Sequence, residues 1–414
     1  MSVTETYATR IRGQFGVQLF KNSFFIILNK LTVAGSGFIF WWLAARYYST
    51  GDVGLATALI SSASLIMQFS FLGFDYSTIR FFSKYDRSKI YNTCMILTTS
   101  IALTLGIGYL AFVNVFSPEL AFIQQPVYAV VFLAYITVSI IAQINNISFI
   151  AMRRAEISFV QNLLLVLRLP LLIPLVFLGA FGILTSIGMA YVLACLVTIY
   201  LMSYFVSMRL NVDQSFVKTS LKFSFGNYVA QILLNFTYLV LPIMILNLLG
   251  PEEAAKYYIA YTIGNFLLQV PDAVGMSLFV EGSHGESMRK NVVRAATAIY
   301  AVLIPGVIFI FLFGGWLLAE GFGKDYAESI TLLRLFALVS LFFAIYCLMV
   351  PIQNVRMNVK RIIHINMIIF VLFLGMSYLF LTHFGIVGVG LALLLTYAIV
   401  DVIILGLAKV EGWF

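Results

Sequence analysis

Six ionisable side chains interrupt otherwise apolar stretches of the 414-residue chain: Lys30, Asp75, Arg168, Asp272, Arg334 and Asp401. A charge placed in lipid is costly, and such residues are functional candidates by default. The three cations suit an anionic ligand. The guanidinium fork of Arg matches pairs of phosphate oxygens, and Lys supplies a compact positive charge. Lys30 lies about ten residues into the first apolar segment, roughly 15 Å at 1.5 Å per residue. That is far for a lysine to snorkel, although snorkelling is its structural alternative. Asn29, Ser36 and Gly37 give the same segment a small, polar strip. Arg168 falls mid-segment, followed by Pro170 and Pro174, which free backbone carbonyls and can bend a helix. Its alternative is an internal ion pair or a carbonyl-bound structural role. Arg334 lies closer to the outer end of its segment, within snorkelling reach. Asp272 and Asp401 can carry a proton, hold Na⁺ or pair with one of the cations. Asp75, five residues before Arg80, reads as an interfacial ion pair.

Amides add hydrogen-bonding capacity of the kind a sugar needs. Gln231 and Asn235 share one helix face at i,i+4, as do Asn265 and Gln269. Asn145 and Asn162 are further candidates, with interhelical hydrogen bonding as the alternative for all six. Pro242, Pro271 and Pro305 mark bending points or static kinks. The three histidines, His284, His364 and His383, have no spacing for zinc with one another or with cysteine. Cys94, Cys195 and Cys347 all sit in apolar runs and read as small core residues. There is no Gly-x-x-x-x-Gly-Lys-Ser/Thr loop to hold ATP phosphates. No cofactor or metal is implied.

These residues need elements that carry them through a bilayer. The chain is 62% hydrophobic and 10% charged, with a mean hydropathy of +1.00. Soluble domains are about 45–50% apolar and about 25% charged. The composition excludes a cytosolic enzyme, a secreted disulfide scaffold and a nucleic-acid module. Stretches of about 20 apolar residues are long enough to span. Twelve occur, at about 20–45, 53–79, 90–114, 126–151, 157–179, 184–207, 222–248, 256–280, 292–318, 327–353, 362–382 and 386–408. They are too long and too uniform for barrel strands, so an all-α membrane bundle is expected.

The net charge of +8 is a topology signal. With the amino terminus in the cytoplasm, nineteen Lys and Arg fall in cytoplasmic segments. Only Arg46, Lys256 and Lys324 fall in outer loops, and Lys30, Arg168 and Arg334 fall within spans. Basic residues favour the cytoplasmic side, which places both termini there. Trp41, Trp42, Trp316 and Trp413 fall near expected interfaces. The polar stretch from Met1 to Ser23 lacks the short apolar core of a cleaved signal peptide.

The halves repeat. Lys21-Asn-Ser-Phe24 and Lys222-Phe-Ser-Phe225 open the first and seventh segments, 201 residues apart, and Tyr48–Asp52 aligns with Leu249–Glu253 at the same offset. Gly182-Ile183 matches Gly385-Ile386 before the sixth and twelfth segments. Six segments per half keep both halves in one orientation, a parallel repeat. Two six-helix lobes, 1–210 and 211–414, are expected.

Four stretches carry a family resemblance: Tyr47-Tyr-Ser-Thr-Gly-Asp-Val-Gly-Leu-Ala56, Leu249-Gly-Pro-Glu-Glu-Ala-Ala-Lys-Tyr-Tyr258, Phe322-Gly-Lys-Asp-Tyr-Ala-Glu328 and Gly385-Ile-Val-Gly-Val-Gly-Leu-Ala392. In this order the chain resembles the polysaccharide transporters of the multidrug/oligosaccharidyl-lipid/polysaccharide exporter superfamily, and most closely the Wzx-type O-antigen/oligosaccharide flippases. It departs from the pattern in the first loop, where Ser-Thr-Gly-Asp replaces Gly-Pro-Glu-Glu and Gly51 is left to supply the turn. The resemblance implies two lobes around a central cavity and alternating access by rocking. It implies a polyprenyl pyrophosphate-linked glycan carried from the cytoplasmic to the outer leaflet of a bacterial inner membrane. It also implies drive by H⁺ or Na⁺ and cooperation with glycan polymerase machinery. On this reading Lys30, Arg168 and Arg334 meet the pyrophosphate, and Asp272 and Asp401 serve ion coupling or internal pairing. A multidrug-type cation exporter would need an acidic cavity, whereas the embedded charges are balanced. A glycan polymerase or ligase would need a catalytic outer loop, and the outer loops are short.

Overall fold

The computed structural model describes residue 25 and residues 28–82, 85–283, 288–356 and 358–410. The repeat motif at 21–24 and Trp413 lie outside them. Every described element is helical. In lipid the backbone must bond to itself, and a helix does so within one segment. The helices are α1 (28–47), α2 (Thr50–Phe71), α3 (Phe74–Phe81), α4 (Arg87–Phe116), α5 (Pro126–Ala151), α6 (Ala155–Leu165) and α7 (Arg168–Leu172). Next come α8 (Ala180–Ser203), α9 (Gln214–Leu249), α10 (Pro251–Ser283), α11 (Met288–Trp316), α12 (Ile330–Val355), α13 (Val359–Phe384) and α14 (Val387–Val410). Among the described residues ten stretches are long and apolar enough to cross a membrane. The two expected segments outside that set are α1 and the 33-residue α10. Both end against residues outside the described set.

Three details differ from the sequence reading. The second segment is broken, because Leu72 (φ 46°) and Gly73 (φ 79°) turn left-handed and separate α2 from α3. Gly73 is also required sterically: a Cβ there would lie 2.6 Å from the Ser224 side chain. The turn before α2 is made by Ser49 rather than Gly51. The Asp52 N–H donates to Ser49 Oγ at 3.1 Å, and the Ser49 hydroxyl donates back to the Asp52 carboxylate at 2.5 Å, a reciprocal cap. The fifth segment is broken ahead of Arg168 into α6 and α7. Pro242, Pro271 and Pro305 all lie inside continuous helices.

Packing divides the chain into two compact units. The first runs to Leu43 and takes in Ile66–Phe116 and Ala121–Tyr228; the second comprises Ala44–Leu65, Ser117–Leu120 and the chain from Val229 on. In the first unit α5 lies against α4 and α8, and α6 against α8. In the second, α12 packs on α10, α11 and α14, and α13 packs on α14.

The connector after α8 is tied down within the first unit. Ser207 N–H donates to Ser88 Oγ at 3.0 Å, Asn92 Nδ2 to the Ser207 carbonyl at 2.9 Å, and Asp213 N–H to Thr93 Oγ1 at 2.9 Å. Asp213 then caps α9, accepting from the Ser215 and Phe216 N–H groups at 3.0 Å each. The Ser215 hydroxyl, the Phe216 N–H and the Lys89 ammonium hold its carboxyl below the usual range. A depressed carboxyl contributes stability above its unfolded pKa and loses it as pH falls through the folded value. Asp213→Asn is therefore expected to lower Tm slightly at pH 7, by less than about 1 °C. The gap should close as scanning calorimetry is repeated toward about pH 3, below the ordinary Asp value.

Candidate functional site

In the first unit the site begins with a polar seam between α1 and α6–α7. Asn29, Ser36 and Phe40 recur at i, i+7 and i+11, one face of α1. Asn29 Nδ2 donates to Ser158 Oγ at 3.1 Å, and Asn162 Nδ2 donates to Asn29 Oδ1 at 3.1 Å. Two turns further along, Arg168 Nη2 donates to Ser36 Oγ at 3.1 Å, and the guanidinium lies 5.2 Å from the Phe40 ring centroid. Both of these partners are neutral, and the Arg168 side chain is only half-buried.

The backbone explains why Arg168 stands at a break. Pro170 has no N–H to give the Val166 carbonyl, so the Leu169 N–H takes that oxygen at 2.9 Å. The Val166 and Leu167 N–H groups likewise reach back only three residues. Lys30 follows Asn29 on α1 and is exposed. It lies six residues, about 9 Å of helical rise, before Ser36. Asp75, half-buried in the first turn of α3, accepts the Tyr76 N–H.

Two of the six amide candidates are turned inward. Asn145 is fully buried, accepting from the Tyr91 hydroxyl at 2.7 Å and donating to Thr198 Oγ1 at 2.9 Å. Asn162 is half-buried and donates one amide hydrogen to Asn29. The hydrogen bonds of both join helices.

In the second unit the other four amides are open. Gln231 and Asn235 are half-buried on α9; on α10 Asn265 is half-buried and Gln269 exposed. None of the four makes a hydrogen bond to a described residue. Tyr238 continues the α9 stripe, Tyr261 begins the α10 stripe, and their rings meet with centroids 6.0 Å apart. Asp272 ends the α10 stripe, exposed, with Cys347 Sγ 3.9 Å from its Oδ1. Amides and a carboxylate facing lipid would be left unsatisfied. This face accounts for the polarity of α10 and is suited to water or a hydroxylated ligand.

Arg334 is exposed and bound locally. Its Nη2 donates to the Phe311 carbonyl at 3.0 Å, and its guanidinium stacks 5.5 Å from the Phe311 ring centroid. Asp401 is the opposite case. It is 4% exposed, and neither carboxylate oxygen has a hydrogen-bond partner among the described residues. The Tyr300 phenol lies within electrostatic reach of it.

The end of the second unit where α2 and α10 begin contains contacts the sequence did not reveal. Arg46 Nε donates to the Gly321 carbonyl at 2.8 Å, and its Nη2 donates to the Glu320 carbonyl. Thr50 Oγ1 donates to the Asp325 carboxylate at 3.2 Å. Lys256 bridges Glu253 and Glu328. Gly54 packs directly on the backbone of Pro251: a Cβ there would lie 1.7 Å from that carbonyl oxygen. The signal available was Gly54, two residues after the turn Tyr48–Asp52 that aligns with Leu249–Glu253.

The all-α membrane fold expected from the sequence is therefore the fold found, and solved membrane transporters share it. An inward-facing multidrug resistance MATE family transporter of the MOP superfamily matches with a TM-score of 0.71 at 13% identity, over 93% of this chain and 95% of that one. The lipid II flippase MurJ, in an inward closed conformation, matches with a TM-score of 0.76 at 14% identity, over 94% and 89% of the two chains. A MOP superfamily transporter from Pyrococcus furiosus, described by the reverse polarity of its binding pocket, matches with 0.53 at 14% identity, over 92% and 95%. No curated protein matches in sequence. The profile of the family described as polysaccharide biosynthesis protein matches residues 19–279, and the chain belongs to that family.

Proposed function

We propose that the protein is a flippase that carries polyprenyl pyrophosphate-linked oligosaccharide from the cytoplasmic to the outer leaflet of a bacterial inner membrane, for cell-surface polysaccharide such as O-antigen. The observation that carries this reading is Arg168. A guanidinium is held within a span by a hydroxyl and an aromatic ring, in a chain of the polysaccharide biosynthesis family. Its fork fits diphosphate oxygens, and Lys30 adds a second positive charge on the neighbouring helix. Arg334 is kept as an outer contact for the diphosphate late in the cycle. The lobes 1–210 and 211–414 alternate access, with both termini cytoplasmic, and polymerase machinery receives the product outside.

Deleting the gene is expected to strip surface polysaccharide while polyprenyl pyrophosphate oligosaccharide accumulates in membrane extracts. Unchanged surface glycan with no accumulation would overturn the reading.

Asp401 is the coupling group of this proposal, for H⁺ or Na⁺, and Asp272 is assigned to the cargo face. A buried carboxylate without a partner is retained at a cost, which supports a role beyond packing. Asp401→Asn is expected to leave Tm unchanged or raised and to abolish the response of transport to an imposed ion gradient. Gradients of pH and of Na⁺, applied separately to proteoliposomes, identify the ion. A full response to both in the variant would remove Asp401 from coupling.

A further inference from the structure

The open face of the second unit has a charge pattern that reaches beyond the general cargo class. On α9 and α10, residues 224–280 include only four charged side chains: Glu252, Glu253, Lys256 and Asp272. The first three lie in the opening turns of α10, where Lys256 is bonded to Glu253 and Glu328. Along the stripes themselves, Gln231, Asn235, Tyr238, Tyr261, Asn265 and Gln269 are neutral, and Asp272 supplies the single charge, a negative one. Arg334 is directed at the Phe311 carbonyl. The amide groups can exchange hydrogen bonds with hydroxyl and N-acetyl groups.

We propose that this face selects the charge of the glycan: it takes neutral sugars and rejects those bearing carboxylates. A uronate beside Asp272 would face a like charge with no cation on the same stripes to offset it. The inference rests on the flippase reading and adds the electrical class of the repeating unit. Asp272 acts as a specificity residue, accepting sugar hydroxyls while disfavouring a second carboxylate.

The test is binding to the purified full-length protein in detergent, with three synthetic probes. They are geranylgeranyl diphosphate, the same lipid carrying a glucose–N-acetylglucosamine disaccharide, and that disaccharide with glucuronate in place of glucose. The neutral glycolipid is expected to bind more tightly than the bare diphosphate, and the glucuronate form at least about tenfold more weakly than the neutral one. Asp272→Asn should narrow that gap to within about threefold, and Asp272→Lys should reverse it. Melting curves establish that both variants are folded. Equal or tighter binding of the glucuronate form by the unaltered protein overturns the charge selection. If the bare diphosphate binds and the neutral sugar adds nothing, the sugar face is overturned while the flippase reading stands. If none of the three probes binds, the flippase reading falls and this inference falls with it.

Discussion

Arg168→Ala is expected to reduce translocation of a lipid-linked oligosaccharide by roughly 10–100-fold, the loss of one charge-assisted contact. The guanidinium is anchored by Ser36 and Phe40 on α1, at a point where Pro170 has already diverted the local hydrogen bonds. It is thus positioned by a hydroxyl and a ring. Arg168→Lys keeps the charge but loses the fork and much of the stacking on Phe40, so partial activity is expected. Ser36→Ala separates anchoring from charge. It removes the hydroxyl and leaves the guanidinium, and a modest loss is expected. Initial rates in proteoliposomes, normalised to folded protein, give this ranking. Full activity in Arg168→Ala would show that the residue serves only to join α1 to α7.

Gly54→Val is expected to be the most damaging single change to stability. Even an alanine methyl would sit 1.7 Å from the Pro251 carbonyl oxygen, less than any non-bonded contact permits. The obstacle is backbone, so no rotamer change relieves it. The beginnings of α2 and α10 must part, and the Thr50–Asp325 and Arg46–Gly321 bonds nearby would be strained or lost. Overpacking of this kind costs about 3 kcal/mol, or roughly 3–4 °C in Tm. Gly51→Ala is the control, because a Cβ at that position meets only the Ser49 hydroxyl, at 3.9 Å. Melting curves in one detergent compare the two; equal Tm values would remove the close approach from the account.

The spanning helices were legible because lipid imposes length and apolarity on each segment separately. α10 was legible by pattern despite its polarity, since Asn265 and Gln269 recur on one face. The break before Arg168 followed from Pro170, a local cause acting on its own hydrogen bonds. The break at Leu72–Gly73 was not legible, because a lone glycine is tolerated inside a helical pattern and the Ser224 that excludes a Cβ there comes from a distant segment. Asn145 and Asn265 are the same residue type in similar apolar contexts. Only the fold brings Tyr91 and Thr198 to the first and leaves the second open. Gly54 was hidden for the same reason: what its missing side chain makes room for is a backbone almost two hundred residues away. Arg334 stood out as a cation in a span, and the structure gives it a carbonyl and a ring to bind, which the sequence could not.

The most direct test of the central claim is leaflet exchange by the purified protein. A fluorescent polyprenyl diphosphate carrying a neutral disaccharide is incorporated into both leaflets of sealed vesicles, and a membrane-impermeant reductant is then added. With the protein present, the protected inner-leaflet fluorescence is predicted to be lost as molecules are carried outward, and to persist in vesicles containing Arg168→Ala. Protected fluorescence that persists equally with the unaltered protein and in protein-free vesicles would contradict the account.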